Sequence, residues 1–234
     1  MTTLQPSESG ADRERIFEQA AAAARPDKGS GGPPRDRLLA LLAAFYRHVA
    51  TEELAARTDV DVYGAFASHY HLAHERRPGE AKVRVFTPTV AEHGWSAAAH
   101  SVVEVIVDDM PFLVDSLTME LSRGLHDVRA VVHPTFDVHR DDQFLLTAVD
   151  PVASGSAEPA AGAIRESWMH VEIGRLSGEG DDDPDQVAAV HRDYYRAGAD
   201  VARVLMRSEG LSHIGVELKT EMQENPGSAV RIAR

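Results

Sequence analysis

The chain has 234 residues, enough to bury a sizeable core in one large domain or two small ones. Hydrophobic residues make up 43% and charged residues 26%, the composition of a soluble globular protein rather than a disordered one. Against 24 basic residues stand 37 acidic ones, a net charge of −13 that disfavours nucleic acid and anionic membrane as partners. With no cysteine there is no disulfide, no thiolate metal site and no cysteine nucleophile, a composition that fits a reducing cytoplasm. No window approaches the ~18 consecutive apolar residues of a membrane span. Met1 to Gly10 lacks the basic-then-apolar layout of a secretory signal. The expectation is a cytoplasmic chain.

Residues 1–34 read as a flexible leader and linker. Ala20 to Ala24 extend a short helix begun near Asp12, in which Ile16 and Phe17 are the only large apolar side chains. Pro26, Gly29, Gly31, Gly32, Pro33 and Pro34 then break regular structure. Residues 35–79 read as a small helical module. Leu38, Leu41, Leu42, Phe45 and Val49 share one helical face over about Asp36 to Ala50, and Thr51 is a candidate cap for a fresh helix. A further helix over about Asp59 to Glu75 carries Val62, Tyr63, Phe66 and Tyr70 as its stripe, and Pro78-Gly79 closes it.

From residue 80 the period changes. Lys82 to Thr87 alternates as a strand. Ser101 to Val107 is a dense apolar run broken only by Glu104, which fits a central strand covered on both faces. After Asp108-Asp109-Met110-Pro111 comes a helix over Phe112 to Arg123, with Val114, Leu117 and Leu121 at helical spacing and Asp109 as its candidate cap. Val128 to His139 reads as one long strand, with an edge or bulge at His133-Pro134. Phe144 to Val149 is its hairpin partner, and Trp168 to Ile173 is another strand. A helix from the acidic turn Asp181–Asp185 to about Arg207 completes the series, and 208–234 is an irregular or truncated tail. The order predicts an α+β sandwich over 80–207, close to the ferredoxin-like split βαβ arrangement.

The search for reaction chemistry returns mostly negatives. There is no G-x-G-x-x-G, no phosphate-binding G-x-x-x-x-G-K-[ST] and no G-x-S-x-G elbow, and the only lysines are Lys28, Lys82 and Lys219. Among twelve histidines the one tempting spacing is His69-x-His71-x-Ala73-His74. It is similar to the H-x-H-x-D-H of metallo-hydrolases, but alanine stands where the aspartate is needed, and only His71 and His74 share a helical face. The reading is a solvated helix end without metal; a histidine-metal hydrolase is the minor alternative. Asp108 and Asp109 sit at a strand-to-helix turn, where a carboxylate receives a ligand ammonium or merely caps the helix. His133 reads as a packing histidine. Trp168 and His170 share a strand face that must meet another layer or subunit.

Several segments together resemble the N-terminal region of the large bacterial NAD-specific glutamate dehydrogenases. They are Arg77-Pro78-Gly79-Glu80 through Val83-Arg84-Val85-Phe86 and Pro88, then Glu92-His93-Gly94-Trp95, then Val103 to Ser116 with its string Asp108-Asp109-Met110-Pro111-Phe112-Leu113-Val114-Asp115-Ser116, followed by His133-Pro134 and Arg165 to Ile173. The likeness covers about Asp36 to Leu205. It implies an ACT-like βαββαβ regulatory domain preceded by helices, joined to a separate C-terminal catalytic region that uses NAD. It also implies homo-oligomerisation and an amino-acid effector held at Asp108, Asp109, Met110 and Pro111. No catalytic or cofactor-binding residue is carried onto this chain by the resemblance. The competing reading is a purely structural docking domain without a ligand.

Overall fold

The structure is a computed structural model that describes residues 8–24, 32–123, 126–153 and 155–175. The helix expected up to Arg207 and the tail 208–234 lie outside the described residues. By their contacts, the described residues form two units, 8–110 with 128–175, and 111–127. The first unit opens with helices α1 (Glu8–Ala23), α2 (Leu38–Phe45), α3 (Thr51–Ala55) and α4 (Asp59–Leu72). It continues with β1 (Lys82–Phe86), the single turn α5 (Val90–His93), β2 (Ser101–Asp108), β3 (Val128–Val132), β4 (Thr135–Arg140), β5 (Leu146–Pro151) and β6 (Ile164–Ile173). The second unit holds α6 (Leu113–Arg123), with Leu113, Leu117 and Leu121 buried and Asp115 exposed.

Every strand pairing is antiparallel, in the order β1-β2-β6-β4-β5 with β3 also on β6. β6 lies between β2 and β4, which therefore run parallel to each other, and the chain between those two strands contains α6. This is the split βαβ arrangement expected from the element order, within a mixed α+β fold. The position beside β2 is filled by β1, which precedes it in sequence. β2 is buried along nearly its whole length on both faces, as its unbroken apolar run requires. The expected long strand over 128–139 is two strands. Pro134 lacks an N–H for the ladder, and it falls where β6 exchanges one partner for the next. Its carbonyl still accepts the Trp168 N–H at 3.0 Å.

The helices share one core with the even-numbered face of the sheet. Leu41, Leu42 and Phe45 of α2 and Val62, Phe66 and Tyr70 of α4 meet Ile106, Val132, Phe136, Val138 and Trp168. Trp168 has no exposed surface, and its ring lies 4.8 Å from that of Phe136 and 6.3 Å from that of Tyr70. The stretch read as a leader contains α1, which is not a free arm: Ile16, Phe17, Ala20 and Ala24 join this core. The Arg13 guanidinium of α1 donates to the carbonyls of Tyr46 and, at 2.7 Å, of Val49. α2 ends at Phe45 rather than near Ala50 because the backbone tightens there, with the Arg47 N–H on the Ala44 carbonyl at 3.3 Å and the Val49 N–H on the Tyr46 carbonyl at 3.0 Å. Thr58, not foreseen as a cap, accepts the Asp61 N–H at 3.2 Å and opens α4.

Gly64 is the tightest point of this layer. A Cβ built there would lie 2.8 Å from Trp95 Cδ1 and closer still to Trp95 Cβ and Cγ. Alanine is ordinarily the better helix former by about 1 kcal/mol. Here the clash reverses the sign: Gly64→Ala is expected to lower stability by about 1–3 kcal/mol, measured by urea unfolding.

Candidate functional site

The turn after β2 is held by side chains that the sequence places far apart. The Asp108 carboxylate accepts from the Arg76 guanidinium and, at 2.8 Å, from the Gly79 N–H. The Asp109 N–H donates to the Arg165 carbonyl at 2.9 Å, and the Asp109 carboxylate accepts from the Ser167 hydroxyl. α6 begins at Leu113, four residues on, so Asp109 ties the turn to β6 and does not cap the helix. Met110 is 40% exposed. Pro111, in the second unit, is also exposed. Of the four residues expected to hold a ligand, Asp108 is committed to Arg76 and Gly79, whereas Asp109 remains exposed to solvent.

Ser167 also lies 3.0 Å from His133 Nε2. The three residues have the chemistry of a nucleophilic triad but not its wiring. Activation needs the imidazole to take the hydroxyl proton while the carboxylate orients the imidazole. Here Ser167 donates to Asp109, so His133 Nε2 must carry a proton and donate to Ser167. Burial holds the His133 imidazole below the ordinary histidine value, although Asp109 pulls the other way. A neutral imidazole with its proton on Nε2 makes a structural tie from the turn to the β3–β4 break.

Beneath the turn is a buried ion cluster. Arg76 has no exposed surface; its Nε donates to Glu166 Oε1 at 2.9 Å. Arg140 donates to both oxygens of Glu166, at 2.9 and 3.2 Å, and Trp168 Nε1 to Oε2 at 3.1 Å. Glu166 is thus fully enclosed and satisfied, with Arg76 reaching on to Asp108 at the surface. Removing one partner of such a pair strands the other in a poor solvent.

The histidines separate differently from their sequence spacing. His71 is exposed and His74 half-buried, whereas His69 is completely buried on the α4 stripe. It stands three residues after Phe66 and seven after Val62, the signal that sequence reading missed. His69 meets Glu104 of β2 and His170 of β6, neighbours across the sheet in register. His69 Nε2 is 4.0 Å from Glu104 Oε1, and the His69 and His170 ring centres are 5.5 Å apart. Glu104 Oε2 accepts from Arg84 Nε at 2.9 Å, while His170 Nε2 lies 3.4 Å from Glu172 Oε1. Both nitrogens of His69, Nδ1 of His170 and Oε1 of Glu104 have no hydrogen-bond partner. Burial pushes the His69 pKa down to about 3, so the ring is neutral near pH 7.

The Arg76 cluster yields a direct expectation. Arg76→Met should destabilise the protein by about 3–5 kcal/mol, read by chemical denaturation, because Glu166 and Asp108 lose a shared cation. A loss below about 1 kcal/mol would show that Arg140 alone suffices.

A family described as "Glutamate dehydrogenase, ACT1 domain" matches residues 41–189. The NAD-specific glutamate dehydrogenase of Halomonas elongata is 39% identical over 133 residues, 57% of this chain and 8% of that protein. The NAD-specific glutamate dehydrogenase of Pseudomonas aeruginosa is 31% identical over 137 residues, 58% of this chain and 8% of its own. That of Mycobacterium tuberculosis is 31% identical over 160 residues, 68% and 9% respectively. The chain therefore spans less than a tenth of the length of the curated relatives it matches. No solved structure matches. Among the described residues no helix is long and apolar enough to cross a membrane. The matched segment contains the turn, the Glu166 cluster and the buried histidines, and through it the chain belongs to the glutamate dehydrogenase family, as its ACT1 domain.

Proposed function

We propose that this chain is the N-terminal regulatory and assembly segment of a cytoplasmic NAD-dependent glutamate dehydrogenase. In this reading a C-terminal catalytic region outside the chain deaminates L-glutamate oxidatively to 2-oxoglutarate and ammonia. NAD binds in that region, and the present chain contributes to homo-oligomer assembly and to sensing an amino acid. The observation that carries the reading is the match of residues 41–189 to the ACT1 domain. The wiring of Asp109, Ser167 and His133 supports it, since that set is built to tie and not to attack.

An amino-acid effector would place its ammonium against the exposed Asp109 carboxylate and its side chain along Met110. Binding alone regulates nothing. The effector must favour one subunit arrangement over another, because only differential affinity shifts an equilibrium.

Melting the purified chain with each common amino acid tests the sensing role, alongside light scattering for its mass. One or a few amino acids should stabilise it, by about 2.7 kcal/mol at one hundred times their Kd. Asp109→Asn should weaken that response by about tenfold, or 1.4 kcal/mol. A flat response to every amino acid together with a monomeric mass contradicts this function, as does unaided turnover of glutamate with NAD.

A further inference from the structure

We propose that His69, Glu104 and His170 form a buried structural site for a first-row divalent cation, zinc foremost, that pins α4 to the centre of the sheet. The three residues come from α4, β2 and β6, and each offers one ligand atom, all within 4.8 Å of one another. Tetrahedral zinc with bonds of about 2.0–2.2 Å needs ligand atoms roughly 3.3 Å apart. The cluster thus has only to contract around an ion, with rotamer adjustments and no change in topology.

The outer contacts favour that contraction. Glu172 stands behind His170 Nε2 at 3.4 Å, which leaves the unpartnered Nδ1 as the nitrogen available to an ion. This is the carboxylate–histidine backing that ligating imidazoles ordinarily have. Arg84 holds Glu104 by Oε2 and leaves Oε1 unpartnered. His69 has no hydrogen bond on either nitrogen, an arrangement that is costly for a fully enclosed ring. A cation satisfies all three residues at once, and a water molecule fills the remaining position of the tetrahedron.

Donor type selects the ion. Two imidazoles with one carboxylate suit zinc and its first-row neighbours, whereas calcium and magnesium require oxygen-rich sets. Complete burial of all three residues gives no route for a substrate, so the role is structural. The exposed His71, near the end of α4, and the half-buried His74 just past it form the rival location for any bound metal.

The test uses the full chain, stripped with a chelator, dialysed and titrated with zinc ion alone, with elemental analysis of the product. The expected result is one zinc per chain and a rise in Tm of roughly 5–10 °C at a hundredfold excess over Kd. Cobalt substitution should give the strong visible absorption of a four-coordinate, imidazole-bound ion. His69→Gln and Glu104→Gln should each abolish stoichiometric binding, Glu172→Gln should weaken it about 10–100-fold, and His71→Gln with His74→Gln should leave it intact. The proposal is overturned by a chain that takes up no zinc and melts unchanged. It is equally overturned if cobalt gives no such spectrum in the unaltered chain, or if binding survives His69→Gln and vanishes in the His71, His74 double variant.

Discussion

The structure depends on how the charged residues on the helix-facing side of the sheet are paired. Glu104, Glu166, His170 and Glu172 all point to that side and are all buried. Their partners come largely from the helical layer and the segments flanking it. Arg57 reaches Glu172, Arg76 reaches Glu166, and His69 approaches Glu104, while Arg84 of β1 and Arg140 of β4 answer from the sheet itself. Buried ion pairs rarely add much net stability compared with apolar packing, but stranding one member is severe. The helices therefore have one acceptable position on the sheet. A one-residue slip of β6 would turn Glu166, His170 and Glu172 to the opposite face and take their buried carboxylates from Arg57 and Arg76.

This constraint also explains what could be read from the sequence. The Ser101–Val107 run dictates a two-sided central strand, and the burial of Glu104 inside it demands a partner that the run alone does not name. The Asp108–Ser116 string was long enough to identify the family. The hairpin of β4 and β5 and the break at Pro134 follow from local chemistry. Other features rest on contacts distant in sequence. α1 has a weak apolar pattern, and its place in the core relies on Arg13 bonding carbonyls more than thirty residues away. The pairing of Arg76 with Glu166 spans 90 residues, and no local spacing signals it. His69 was legible as a core position from Phe66 and Val62. Its grouping with Glu104 and His170 needed the sheet register.

The turn at Asp108 and Asp109 connects this packing with the proposed sensing role. Arg76 joins the buried Glu166 to the half-exposed Asp108, so the surface carboxylate and the centre of the helix–sheet interface share one cation. Ser167 and His133 extend the same connection to the β3–β4 break. A ligand that engaged Asp109, as proposed, would act on a network with few free rotamers.

The central claim is that the helical layer and the sheet are one cooperative body joined by those charge pairs. Hydrogen exchange of the full chain across a denaturant series, resolved to α2, α4, β2 and β6, tests it most directly. The account predicts that amides in all four open with the same free energy and the same denaturant dependence. Exchange in α2 and α4 at distinctly lower free energy, with β2 and β6 still protected, would contradict it.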